Sequence, residues 1–198
     1  MKQAFGIFSC LWIILISGLH AETVQQQTPL TSKGKVVIVD KSTGAGILIM
    51  PGQAIVASKG ETVVVAKSAK FNVQVKIRTY EVQIGKPSDK RPDVIRSSCT
   101  YSKYPCSIVD YIDIIVNDKA ILVPRSVFCD LADLNTAEVK IEQKKAILTL
   151  TGGDASESYI VKIEFDKERV KRRVTSSGML PDEPSQETIY HLPILKDE

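Results

Sequence analysis

Residues Phe71 to Ile84 read FNVQVKIRTYEVQI, and this stretch decides the fold class. Apolar and polar residues alternate from Phe71 to Arg78, which is the pattern of a β-strand with one buried face and one face in water. After Thr79 the apolar residues move by one position. Because such a slip turns every later side chain to the opposite face, we predict a β-bulge near Thr79, or a strand that passes there from one sheet to another.

Much of the chain from Lys35 onward carries the same signature in shorter bursts. Runs of Val, Ile, Leu and Ala are separated by Gly, Pro and polar turn residues, a pattern that predicts strands joined by tight turns. Residues 126–134 have apolar positions three or four apart and predict one short helix. We therefore predict a mainly β fold, an antiparallel sandwich or partly open barrel with one or two short helices, with two small β subdomains as the alternative.

The N-terminal segment is predicted to determine where the protein is located rather than to form part of the fold. Lys2 precedes an apolar run from Ala4 to Leu19, and small residues lead to Ala21. These are the parts of a secretory signal peptide, so we expect cleavage near Ala21 and a periplasmic or secreted protein, with a bacterial periplasm favoured. A retained membrane anchor is the alternative, although the run is shorter than the ~20 residues that a spanning helix needs.

The expected domain organisation follows from these two segments. It consists of a signal peptide at 1–21, a flexible lead-in at 22–33, a single β-rich domain at 34–193 with a possible division near 85–107, and a tail at 194–198.

The hydrophobic fraction of 43% is that of an ordinary globular domain. With 26 Lys and Arg against 23 Asp and Glu, the net charge of +3 is too balanced for a dedicated nucleic-acid binder.

Three cysteines follow the predicted cleavage site. Cys99 and Cys106 close an eight-residue segment, CTYSKYPC, and in an oxidising compartment they predict a disulfide. Closing a loop of this size stabilises the fold by roughly 2.5 kcal/mol in the chain-entropy description. Cys129 lies among apolar residues and is predicted to be a buried free thiol, unless it pairs with one of the other two. The spacing fits neither a redox motif nor a zinc site, so we expect no metal and no cofactor.

The loop between these cysteines is the candidate binding site. It holds Tyr101, Lys103 and Tyr104, and it follows a locally basic segment that contains Lys90, Arg91 and Arg96. Tyrosines and cations on a short closed loop suit recognition, because closure lowers the entropy lost on binding. We expect an exported, non-enzymatic binding protein, of an inhibitor or immunity type, that acts on a protein partner in the cell envelope.

Two other functions remain as alternatives. An envelope structural or assembly factor would pair with partners through exposed strand edges. A hydrolase would use His191, the one histidine beyond Ala21, but no nucleophile motif precedes it, and we predict no catalytic residues. Contact with a membrane is expected only through an uncleaved signal peptide.

Two further segments resemble functional sites, but we predict that both have structural roles. Residues 152–156 are Gly-rich, yet they lack the Gly-Lys-Ser/Thr ending of a phosphate loop, so we predict a hairpin connection. Arg169, Lys171 and Arg173 alternate along a predicted strand, which indicates a solvated face that protects a sheet against edge pairing.

Overall fold

The computed structural model describes residues 52–85 and 99–191, together with the backbone of two strands at 36–39 and 46–49. All of these residues belong to one compact unit, Ser32–Glu198. The predicted signal peptide, the lead-in, the tail and the residues Lys90, Arg91 and Arg96 lie outside the described residues. No helix in the described part of the chain is long and apolar enough to cross a membrane.

Within these residues the chain forms twelve strands and two short 3₁₀ helices. The strands are β1 (Val36–Val39), β2 (Gly46–Ile49), β3 (Gln53–Ile55), β4 (Gly60–Lys67), β5 (Asn72–Val82), β6 (Cys106–Val116), β7 (Lys119–Ile121), β8 (Leu134–Glu142), β9 (Lys145–Gly152), β10 (Tyr159–Phe165), β11 (Val170–Ser177) and β12 (Leu180–Ile189). The 3₁₀ helices span Arg125–Val127 and Ala155–Glu157.

The strands form two main antiparallel sheets, which confirms the predicted fold class. The larger sheet has the order β12-β11-β10-β9-β8-β3, and the smaller has the order β4-β5-β6-β7. A separate pair joins β1 to β2. Neither main sheet closes into a barrel, and most neighbouring strands follow one another in the chain through short connections, as antiparallel pairing allows.

The core lies between the two main sheets. Val73, Val75 and Ile77 of β5 point into it from the smaller sheet, and Ile163 and Phe165 of β10 point into it from the larger sheet. Since both sheets line the same core, they form the two layers of a β-sandwich. Burial of each such side chain stabilises the fold by about 1.5–3 kcal/mol, so the alternating residues supply the main driving force for this layering.

The bulge predicted near Thr79 is confirmed. The register between β5 and β6 shifts after Arg78, and Asp110 is the extra residue on the β6 side. Thr79 still points inward, whereas Val82 and Ile84 beyond it pack against a small second apolar cluster made of Cys99, Cys106, Ile108 and Ala132. The apolar residues of β5 change face because this second cluster covers the outer face of the sheet there.

The short helix predicted at 126–134 is present only as a single 3₁₀ turn that does not extend through the segment. The segment contains only the 3₁₀ helix Arg125–Val127 and a further turn, and β8 begins at Leu134. Val127, Phe128 and Leu131 are all buried, so their three- and four-residue spacing reflects a turn that folds back onto the core. A short apolar run cannot by itself distinguish these two ways of burying the same side chains.

Candidate functional site

The predicted disulfide between Cys99 and Cys106 is present, with Cα atoms 5.7 Å apart. Both cysteines are buried in the small cluster beneath β5, so the bond anchors the segment to the sandwich. We call residues 99–106 the disulfide loop. Cys129 takes no part in the bond, and it is half-buried rather than buried as predicted.

The carboxylate of Asp133 holds both ends of the disulfide loop. It accepts hydrogen bonds from the backbone N–H of Thr100 at 2.7 Å and of Ser107 at 2.9 Å. The backbone N–H of Asp133 donates in return to the carbonyl of Ser107 at 2.6 Å. The residue is only 3% exposed and has a φ of 50°, a left-handed conformation that aspartate tolerates better than most residues. Closure of the loop therefore depends on a buried carboxylate as well as on the disulfide.

The disulfide loop rests on the connection between β9 and β10, residues 153–158, which we call the β9–β10 loop. This connection joins two antiparallel neighbours, so the hairpin predicted at 152–156 is confirmed. The backbone N–H of Tyr101 donates to Oε2 of Glu157 at 2.7 Å. Nζ of Lys103 donates to Oδ1 of Asn135 at 2.8 Å, and Nδ2 of Asn135 donates to the carbonyl of Gly153 at 2.8 Å. These hydrogen bonds fix the two loops against each other.

The turn between β11 and β12 lies against the same connection. The backbone N–H of Gly178 donates to the carbonyl of Ser158 at 2.7 Å. A Cβ atom at Gly178 would come within 2.3 Å of Oγ of Ser158, so any larger residue there would have to displace Ser158. Three loops therefore meet, and we call residues 99–106, 153–158 and 178–180 together the loop end.

The loop end carries large exposed apolar side chains. Tyr101 is 55% exposed, Met179 68% and Leu180 53%. Loops on a rigid β scaffold commonly carry binding function, and apolar side chains clustered on such loops are typical of interaction sites. The loop end is therefore our candidate for an interaction surface within the described residues.

The predicted binding residues of the disulfide loop differ in their exposure to solvent. Tyr101 is exposed, whereas Lys103 and Tyr104 are half-buried and the ammonium group of Lys103 is hydrogen-bonded to Asn135. The sequence reasoning missed Met179 and Leu180. Their signal was a pair of large apolar residues between Gly178 and Pro181, where a turn ordinarily carries polar side chains.

A cleft of about 280 Å³ opens beside the disulfide loop. Cys99 and Glu157 line it on the loop side, and Arg173 and Thr175 of β11 line it on the sheet side. The remaining lining residues are Asp130, Leu131, Tyr159, Val161 and Gln186. The cleft and the loop end therefore share a border at Cys99 and Glu157.

The prediction of a solvated basic face is wrong for Arg173, because this residue is buried. Its side chain is only 3% exposed, and Nη2 donates to the two carboxylate oxygens of Asp130 at 2.9 and 2.7 Å. The register between β10 and β11 shifts at Lys171, so Lys171 does not share the face of Arg173, and it pairs instead with Asp166 at 2.7 Å. β11 also lies between β10 and β12, so it is not an edge strand that would need protection.

Tyr159 connects the cleft to the segment that carries Asp133. Its hydroxyl accepts from the backbone N–H of Ala132 at 3.2 Å and donates to the carbonyl of the same residue. Burial raises the pKa of Tyr159 above its usual range. Gly152 makes room for the ring, since a Cβ there would come within 2.5 Å of it.

A second concavity, of about 470 Å³, lies at the turns that follow β8 and β10. Most of its charged side chains pair with one another: Lys145 contacts Glu164 at 3.0 Å, and Lys171 contacts Asp166 at 2.7 Å. Burial opposes ionisation of Asp166, but the hydrogen bonds from Lys171 and from two backbone N–H groups outweigh it and hold the pKa of Asp166 below its usual value. This concavity is a network of paired charges.

His191 is exposed where β12 ends. No group of three or more His, Cys, Asp or Glu side chains in the described part of the chain could hold a metal ion. Comparisons of the chain with models of protein families, with curated proteins and with solved structures found no match.

Proposed function

We propose that this chain is an exported, non-enzymatic binding protein whose loop end docks on a protein partner of the cell envelope, as an inhibitor or immunity-type protein would. The observation that carries this is the set of three exposed apolar side chains, Tyr101, Met179 and Leu180, on loops joined by hydrogen bonds. Aromatic residues and methionine are enriched at protein interfaces. Loops that are already fixed lose little entropy on binding, so a modest surface gains affinity.

Two further features support export and a bacterial periplasm as the place of action. The apolar run before Ala21 has the parts of a signal peptide. The disulfide between Cys99 and Cys106 is a bond that persists in oxidising compartments.

The alternative of strand-edge pairing has less support. β12 is the edge of the larger sheet and is exposed along most of its length. However, Pro181 and Pro184 lack the N–H that a pairing strand needs, and the register with β11 shifts twice. Prolines and bulges are the devices by which edge strands avoid pairing.

The test is capture of partners from envelope extract with three forms of the purified protein. A Tyr101→Ala/Met179→Ala variant removes two apolar contacts from the loop end. A Leu122→Ala variant is the matched control, because Leu122 is 75% exposed and bridges to Arg169, at the opposite end of β11 from Gly178. We expect the unmodified protein and the control to capture the same partner and the double variant to capture at least about tenfold less.

The three forms should share one melting temperature, because the substituted side chains lie at the surface. Equal capture by all three forms would refute docking through the loop end. Loss of capture by the Leu122→Ala control alone would move the binding surface to the other end of the sandwich.

A further inference from the structure

The cleft beside the disulfide loop is lined by polar residues at positions where apolar residues are expected. Val161, Thr175 and Gln186 lie directly opposite one another across β10, β11 and β12, and Arg173 lies on the same face two residues before Thr175. Val161 and Arg173 on this face are buried, whereas Thr175 is half-buried and Gln186 is exposed, so the part of the face that holds Arg173 belongs to the interior of the sandwich. Apolar side chains would normally fill such positions, because polar groups are costly to bury.

Two polar atoms in this face lack partners. Nε of Arg173 and Oγ1 of Thr175 are buried and have no hydrogen-bond partner within the described residues. An unsatisfied buried donor costs on the order of 1–3 kcal/mol, and such groups are rare in folded proteins. Both residues line the cleft, so a ligand in the cleft is a natural source of the missing partners.

The charges around the cleft favour a neutral ligand. The guanidinium group of Arg173 is already balanced by the carboxylate of Asp130, which accepts two hydrogen bonds from it. Glu157 adds a second carboxylate to the lining. A ligand carboxylate or phosphate would meet an excess of negative charge, whereas a neutral carbonyl oxygen can accept from Nε of Arg173 and from the Thr175 hydroxyl.

The lining can also accept a hydrogen bond from a donor group on the same ligand. The carboxylates of Asp130 and Glu157 can accept hydrogen bonds, and Leu131, Val161 and Cys99 add apolar lining. The volume of about 280 Å³ lies below the ~300–1,000 Å³ typical of cofactor and drug sites, and it fits a group the size of one side chain. We propose that this cleft binds a neutral carboxamide on a short aliphatic chain, either as a free small amide or as a Gln or Asn side chain of a peptide.

The test is an NMR titration that follows the Nε–Hε resonance of Arg173 in the ¹⁵N-labelled protein. The probes are butyramide and butyrate, which share shape and differ in charge. We expect butyramide to shift this resonance saturably, with a Kd at least about tenfold lower than that of butyrate. Equal or tighter binding of butyrate, or no shift with either probe, would overturn the proposal.

Two substitutions and one peptide pair complete the test. Thr175→Val keeps the shape of the side chain and removes the hydroxyl, so it should weaken butyramide binding at least about fivefold. Thr149→Val, on the outer face of the same sheet, is the control and should change nothing. Unchanged binding by Thr175→Val would overturn the assigned contact.

The peptides acetyl-Ala-Gln-Ala-amide and acetyl-Ala-Glu-Ala-amide distinguish the two sources of the carboxamide. A Gln peptide that binds more tightly than butyramide assigns the site to a peptide side chain, and equal binding assigns it to a free amide. A Glu peptide that binds as tightly as the Gln peptide would overturn the preference for a neutral group. These probes need no knowledge of the envelope partner, so their outcome is separate from that of the capture experiment.

Discussion

The carboxylate of Asp133 provides the most direct test of how the loop end is held. Replacing it by alanine leaves the backbone N–H groups of Thr100 and Ser107 without their buried acceptor. A hydrogen bond to a charged group is worth about 1.5–3 kcal/mol, so losing two should lower the free energy of unfolding by about 3–6 kcal/mol. This is a large part of the 5–15 kcal/mol by which a typical domain is stable.

A graded series separates the hydrogen bonds from the backbone conformation. Asp133→Asn keeps one acceptor oxygen and the tolerance for a φ of 50°, so we expect about half the loss of the alanine variant. Asp133→Gly relieves the left-handed conformation without restoring an acceptor, and it should remain close to alanine.

The assay is urea unfolding without reducing agent, followed by far-ultraviolet circular dichroism. Tryptophan fluorescence is unsuitable, because Trp12 is the single tryptophan and lies before the predicted cleavage site. An alanine variant within about 1 kcal/mol of the unmodified protein would refute the assigned role of Asp133.

Three further predictions concern the surroundings of the loop end and the charged concavity. Tyr159→Phe leaves the buried N–H and carbonyl of Ala132 unsatisfied and should cost about 1–3 kcal/mol in urea unfolding. The pKa of Asp166 is lowered in the folded state, so its contribution to stability is fully present above the unfolded pKa of 3.8 and is lost as pH falls from there through the lower folded pKa. Asp166→Asn should therefore flatten the acid limb of a stability–pH profile. Gly153→Ala places a Cβ 2.2 Å from the carbonyl of Glu157 at a φ of +73° and should lower the melting temperature by several degrees in a thermal scan.

The sheet architecture could be predicted because it depends on local patterns. The alternation from Phe71 to Arg78 predicts which side chains of β5 enter the core, and the structure buries Val73, Val75 and Ile77 accordingly. The change of phase after Thr79 also has a local signature, and the bulge lies where it predicts. What the pattern could not show is that the extra residue belongs to β6, since that depends on the partner strand.

The burial of Arg173 could not be predicted because it depends on contacts between distant segments. Charged residues that alternate along a strand ordinarily indicate a wet face, and Asp130, the partner of Arg173, lies 43 residues away in the sequence. The bulge at Lys171 also separates two residues that the simple alternation places together. Pairings and bulges of this kind are decided by tertiary structure.

The candidate site was partly visible in the sequence. The spacing of Cys99 and Cys106 was sufficient to predict the disulfide, and Tyr101 is exposed on the loop that it closes. The contribution of Met179 to the same surface was hidden, because its turn reaches the loop end through the pairing of Ser177 with Tyr159 and the hydrogen bond between Gly178 and Ser158. Proximity in space, rather than residue type, completes the site.

Hydrogen–deuterium exchange of the captured complex tests the central claim most directly, because it maps the contact surface on the bound protein. Docking through the loop end predicts slower exchange on binding in residues 99–106, 153–158 and 178–180, with unchanged exchange in the turn at 143–144 at the far end of β9. Slower exchange confined to that turn or to the outer edge of β12, with the loop end unchanged, would contradict the account.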